Sequence, residues 1–312
     1  MAGANLGDVL SPEARDARLR SLAASGGGTV ETVGHSVQGR PLLAARLPSR
    51  GGPHAPKVLC AANIHGVEFV ATRVALAALE LAVNSQALLG RAELWVWPSI
   101  NPDGYARTFE QDGQGTLAAL RTNAHGVDLN RNFPRPFQAP ISRLPFTGSS
   151  RHGDATYRGP DALSEPETQA VATLCAQQKF HAVLSLHSFM GTLIPARVLE
   201  RQHAQGYVQL CEAFFSAQPR WRYRRVQSQL VDAFTGELED HLHHALDAWA
   251  CCVESFPVSH SVAQHLHAPS LFWRFNPRNL DAYLANDVPG VLAFFDAALS
   301  KQRPGAGQPG RP

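Results

Sequence analysis

The sequence holds no unbroken run of about 18 apolar residues, the length a membrane-spanning helix needs, so no membrane is implied as a partner. It also holds no basic block. Lys and Arg are scattered and the formal charge is only +2, which leaves no electrostatic footprint for nucleic acid or an acidic lipid surface. Cysteine is scarce and odd in number: Cys60, Cys175, Cys211, Cys251 and Cys252. Three of the five sit inside apolar strand-like runs, where a thiol behaves as a small hydrophobe, so no disulfide framework is expected. The first twenty residues lack a basic segment followed by an apolar core and a small-residue cleavage site, and the expectation is a cytoplasmic protein. No internal repeat is visible.

The chain carries enough apolar residues, 44% of 312, to bury a sizeable core. Short apolar runs alternate with helical patterns: "KVLCAA" (57–62), "VATRVALAALELAV" (70–83), "ELWVWPSI" (93–100), "HAVLSLH" (181–187) and "ACCVES" (250–255). This alternation predicts an α/β fold. In "LSEPETQAVATLCAQQ" Ser164 and Glu167 read as a capping box, with Pro166 in the first turn of a helix. Residues 1–20 are expected to be an N-terminal segment, 21–300 the main domain and 301–312 a tail too rich in Gly, Pro and charge to pack.

In open α/β sheets ligands bind outside the carboxyl ends of the strands, and three of these runs end in chemistry. The first ends at His65 and Glu68 in "HGVE", the second at His187 in "SLHS" and the third at Glu254 in "CVES". Two imidazoles and one carboxylate are the protein donors of a catalytic zinc site with an open fourth position, and the remaining carboxylate suits a base. A rival pair, His244 and Asp247 in "DHLHHALD", lies opposite the apolar stripe of Leu238, Leu242, Ala245, Leu246 and Trp249, on a watery helix face.

Residues 101–163 are rich in Gly, Pro, Asn and Arg and read as a long functional loop. There "NPDGY" is a turn signal, and "RTNAHGVDLNRNFP" gathers Arg121, Asp128, Asn130 and Arg131. A guanidinium beside an amide suits a substrate carboxylate, since the first forks two hydrogen bonds and the second adds another.

"HGVE", "NPDGY", "GVDLNRNFP", "YRGPDALSEPET", "SLHS" and "CVES", in that order over residues 57–256, resemble the zinc metallocarboxypeptidase family. "RTNAHGVDLNRNFP" is most similar to the bacterial murein peptide amidases, which cleave beside diaminopimelate. The resemblance implies a mixed, twisted central sheet of about eight strands with helices on both faces. It implies one zinc ion on His65, Glu68 and His187, Glu254 as general base and acid, and Arg121 as the oxyanion's partner. Asn130 and Arg131 would hold the substrate's terminal carboxylate, and Asp128 would orient a ligand imidazole. The family's flexible-loop tyrosine is missing: Asp232 and Phe234 occupy that stretch, Tyr223 comes too early, and Phe234 is the candidate to close over substrate.

The expected function is a zinc metallopeptidase that hydrolyses the amide beside the C-terminal residue of a peptide, murein peptides included. The alternatives are an N-acyl amino acid deacylase, with a small acyl-amino-acid substrate, and a catalytically silent zinc-binding module. Intact Glu254 argues for chemistry, because binding alone needs no base. In "TGELEDHLHH" Thr235 can cap a helix whose first turns carry Glu237, Glu239 and Asp240. These acids either complement the helix macrodipole or, by their position before the base, let Glu237 or Glu239 select a cationic terminal side chain.

Overall fold

The computed structural model describes residues 6–7, 9–85, 87–136, 147–226 and 234–305. Its strands are β1 (Thr29–His35), β2 (Pro41–Leu47), β3 (Lys57–Ala62), β4 (Glu93–Trp97), β5 (Ala182–Ser188), β6 (Thr192–Pro195), β7 (Arg224–Arg225) and β8 (Trp249–Ser255). They form one 8-stranded sheet in the order β1-β2-β4-β3-β5-β8-β6-β7. The centre, β4, β3, β5 and β8, is parallel, while β2 against β4 and β6 against β8 are antiparallel. The sheet is therefore mixed, as expected.

Helices cover both faces: α1 (Pro12–Ser25), α2 (Phe69–Ser85), α3 (Pro102–Glu110), α4 (Leu117–Arg121), α5 (Pro166–Gln178), α6 (Arg201–Ala217), α7 (Leu238–Leu246), α8 (Val262–Leu266), α9 (Phe272–Phe275) and α10 (Leu280–Ala298). Because side chains alternate across a strand, each central strand feeds two cores. Val58, Cys60 and Ala62 of β3, with Leu184 and Leu186 of β5 and Cys251 and Val253 of β8, pack under α1, α2, α6 and α10. Leu59, Ala61, Trp95, Val183 and Ala250 face the other way, against α5 and α7. His187 and Glu254 belong to this second, smaller face by the same period of two. A site is thus created where the apolar side chains of that face give out.

The central runs match their strands closely; other local expectations need correction. "NPDGY" starts a helix rather than a turn, because Asn101 Oδ1 accepts from the Gly104 N–H and Pro102 fits the first helical position. The stretch 101–163 accordingly carries α3, α4 and a 3-10 turn at Leu129–Arg131. Ser164 does not cap α5: Leu163 is left-handed (φ 57°), the cap position is Glu165, and the Ser164 hydroxyl donates to the Glu165 carboxylate. Thr235 does not cap α7 either. The cap position there is Glu237, and Asn130 Oδ1, reaching from another loop, accepts from the Leu238 N–H. Ala245 faces solvent instead of joining the apolar stripe.

The first residues of the expected tail are held by hydrogen bonds. Trp249 Nε1 donates to the Gln302 carbonyl, and Arg303 donates to the Lys179 and Leu246 carbonyls, so residues 301–305 lie against the domain. Residues 306–312 lie outside the described residues, as does Asp232.

The glycine of "HGVE" has a steric cause. A Cβ on Gly66 would meet the Gly104 backbone at 2.5–2.7 Å, where nothing flexible can yield. Gly66→Ala should therefore push β3's loop away from α3 and cost about 1–3 kcal/mol, as overpacking does. Urea unfolding of the variant beside the parent checks this; equal midpoints would mean that the two loops can part without cost.

Candidate metal and hydrolase site

At the end of β3 the chain turns through Asn63 in a left-handed conformation (φ 54°), which Asn tolerates better than most residues. Its amide donates to the His65 carbonyl at 2.9 Å and accepts from Ser99 at 2.8 Å, locking the loop to the end of β4. The loop delivers His65 and, just before α2, Glu68. His187 arrives from β5, and in the parallel register its partner on β8 is Glu254.

His65 Nδ1 lies 2.9 Å from Glu68 Oε1 and 3.2 Å from His187 Nδ1, and Glu68 Oε2 lies 3.1 Å from His187 Nδ1. Both outer ring nitrogens are engaged: His65 Nε2 with Asp128 Oδ1 at 3.1 Å, His187 Nε2 with Ser185 Oγ at 2.9 Å. The Nδ1 atoms of both rings thus turn inward, toward each other and toward a carboxylate. Such a trio of buried donors repels itself unless a proton or a cation sits among them, so the residues fit a metal ion. Burial, which opposes ionisation, is outweighed by the two imidazoles, and the Glu68 carboxyl is pulled down to about 2.

Asp128 ties this trio to the loop. Fully buried, it receives the Arg121 Nε–H at 2.8 Å and the Asn130 N–H at 3.0 Å besides its bond to His65. Its carboxyl is held well below the usual range although burial pushes the other way, chiefly by Arg121 and then His65. Glu254 is placed differently. Its Oε2 is buried without a hydrogen-bond partner, and burial, then the Glu68 charge, pushes the carboxyl up to about 8. A cation among the donors would pull it back down.

Asn130 and Arg131 are buried side by side. With Asn130 Oδ1 engaged at Leu238, its Nδ2 is the group turned elsewhere to donate. The Arg131 guanidinium lies 3.4 Å from Glu237 and stacks over the Phe234 ring at 4.7 Å. Glu237 is thus engaged with Arg131. Glu239 is buried more deeply, hydrogen-bonded to Ser185, with Oε1 lacking a partner; burial, then Asp240, raises its carboxyl to about 7. Tyr223 donates to Asp287 at 2.9 Å in the larger core and takes no part in the site.

The sequence reading missed Ser185 and Cys252. Both were legible by the period of two, since Ser185 stands two before His187 and Cys252 two before Glu254 on the same strand faces. Among the described residues, the donor groups close enough to hold a metal are His65–Glu68–His187 and His187–Cys252–Glu254. His244 and Asp247 form no such group, and His244 Nε2 is bonded to the Arg197 carbonyl at 2.6 Å. No helix among the described residues is long and apolar enough to cross a membrane.

The zinc carboxypeptidase family model matches residues 19–230, more than half of the sequence. The chain belongs to that family. Its members act on peptides, and zinc is the metal the family implies. Human carboxypeptidase D is 31% identical over 214 residues, covering 56% of this chain and 14% of that protein, so the chain spans only a small part of this relative. Among solved structures, carboxypeptidase A of Helicoverpa armigera superposes with a TM-score of 0.74 at 23% identity, covering 94% of this chain and 74% of that one. Bovine thrombin-activatable fibrinolysis inhibitor, solved with a tick carboxypeptidase inhibitor, gives 0.75 at 17% identity, covering 94% and 98%. These structures share the fold. The family match stops before Glu254, whose place rests on β8 pairing with β5.

A pH dependence follows for metal-free protein. A carboxyl whose pKa is raised on folding stabilises the fold below its unfolded value, near 4.5, and that stability is lost as pH rises through about 8 for Glu254. The melting temperature should therefore fall from pH 5 to 8, and Glu254→Gln should flatten the fall. An identical slope in the variant would show that Glu254 is not the group responsible.

Proposed function

We propose that the chain is a zinc-dependent metallocarboxypeptidase or peptide amidase that hydrolyses the amide beside a peptide's C-terminal residue. The observation that carries this is the pairing of inward-turned donors on His65, Glu68 and His187 with the partnerless buried oxygen of Glu254 on the adjacent strand. His65, Glu68 and His187 would hold a single zinc ion, with Asp128 fixing the His65 ring. When bound, the ion supplies Lewis acidity, which polarises a carbonyl and acidifies a water.

The rest falls to the chain's own groups. Glu254 takes the proton from the attacking water and returns it to the leaving amine, bonding to nothing else that would compete. Arg121, anchored through Nε to Asp128, keeps its guanidinium beside the developing oxyanion. Asn130 and Arg131 bind the terminal carboxylate, and the Phe234 ring covers them. The five buried free thiols support the cytoplasm as the compartment.

Of the two acids that could select the terminal side chain, Glu239 is favoured. Glu237 is engaged with Arg131, while Glu239 Oε1 is buried and partnerless on the face that carries His187 and Glu254. A cationic side chain, of lysine, arginine or the amine end of diaminopimelate in a murein peptide, would supply the missing donor.

Two experiments test the proposal. Glu254→Gln should keep a full equivalent of zinc and lose hydrolysis by about 10² to 10⁴, the usual cost of a lost general base. Turnover at the parental rate would end this mechanism. Glu239→Gln should reduce the ratio of kcat/KM for peptides ending in lysine over leucine by roughly tenfold or more, as truncating a buried charge partner does. An unchanged ratio would leave Glu239 with a structural role only.

A further inference from the structure

Cys252 lies on β8 two residues before the proposed base and on the same strand face, directly opposite Ser185 on β5. Its sulfur, one nitrogen of His187 and one oxygen of Glu254 all lie within 4.8 Å of one another. This group is chemically unlike the nitrogen-and-oxygen set of His65, Glu68 and His187, because it offers sulfur. It shares His187 with that set. A second, independent feature marks it as a place for a cation: Glu254 Oε2 is buried with nothing bonded to it.

We infer that His187, Cys252 and Glu254 form an overlapping donor set for a thiophilic divalent cation such as cadmium, whose occupancy excludes zinc from the neighbouring set. Thiolate is a soft ligand and draws soft ions over those that oxygen donors prefer. The sulfur is flanked by the Glu254 carboxyl group on its own strand face and by the His187 ring from the neighbouring strand. An arriving divalent ion binds the sulfur and releases the thiol proton to solvent. Exclusion follows from His187: with its Nε2 held by Ser185 Oγ, the ring has one nitrogen left for both sets. Capture of Glu254 would also occupy the group that the proposed hydrolysis needs as base; this consequence alone rests on the functional reading.

The test uses zinc-loaded protein titrated with cadmium, reading the ultraviolet thiolate-to-cadmium charge-transfer band and, after desalting, the bound zinc by mass spectrometry. The parent should develop one equivalent of the band and lose about one equivalent of zinc in step. Cys252→Ser should show no band and keep its zinc at cadmium concentrations roughly a hundredfold higher, and Cys252→Ala should behave likewise. His65→Ala should lose zinc affinity but keep the band, because His65 belongs only to the first set. A saturated parent without the band, an undiminished band in both Cys252 variants, or its loss in His65→Ala would overturn the inference. Peptide hydrolysis is measured separately, on the zinc-loaded protein before any cadmium is added: if that protein cleaves no peptide yet later develops the band, the functional reading is refuted and the sulfur site stands.

Discussion

One buried carboxylate holds the site together. Asp128 reaches the His65 imidazole with one oxygen, an arginine with the other, and a backbone N–H of its own loop besides. Removing a carboxylate from water costs several kcal/mol, which is recovered only when nearly all its lone pairs are used, as they are here. Because His65 comes from β3 and Arg121 from the end of α4, the same charge joins the sheet to the loop that carries Asn130 and Arg131. Breaking a buried pair of this kind typically costs about 3–5 kcal/mol, enough to loosen His65 and the Asn130–Arg131 loop together. Position of the His65–Glu68–His187 trio and position of the Asn130–Arg131 loop are thus one constraint.

The sheet supplies the other half of the geometry at little expense. In parallel strands joined by helices, the carboxyl ends fall at one edge, so β3, β5 and β8 need only place a polar residue near their last position to bring three side chains together. Alternation then sorts them. Val253 and Leu186 go into the larger core, while Glu254 and His187, one residue further on, face the other side. The thin core beneath α5 and α7 ends where they begin, which is why their polar groups are buried without being smothered.

This logic explains what the sequence made legible. The four central strands are buried on both faces, so they write themselves as short apolar runs, and their chemistry sits at the ends of those runs. The outer strands leave no such mark: β1 is half-exposed along its length with a register shift between Thr32 and Gly34, and β7 is only two residues long. Helix starts misled for another reason. Asn-Pro and Ser-x-x-Glu patterns serve turns and caps alike, and which one forms depends on partners far away in sequence. Asn130 capping α7 across more than a hundred residues is beyond any local rule. Cys252 was read as a small hydrophobe, which is correct for Cys60 and Cys251 in the larger core but omits the face on which this cysteine lies.

The acids around the site show how position divides labour among like groups. Asp128 has Arg121 and Glu68 has two imidazoles, so both keep their charge, and Glu237 is paired with Arg131. Glu254 has no such partner, so burial, and then the like charge of Glu68, raises its carboxyl to about 8, while the two imidazoles draw that of Glu68 to about 2. A pair divided in this way offers one group that stays ionised to hold a cation and a second whose proton affinity that cation would lower. The separation needs no special residue, since both are glutamates. It arises from where each stands: Glu68 in the loop after β3 against both imidazoles, Glu254 near the end of β8 with a buried oxygen that nothing bonds.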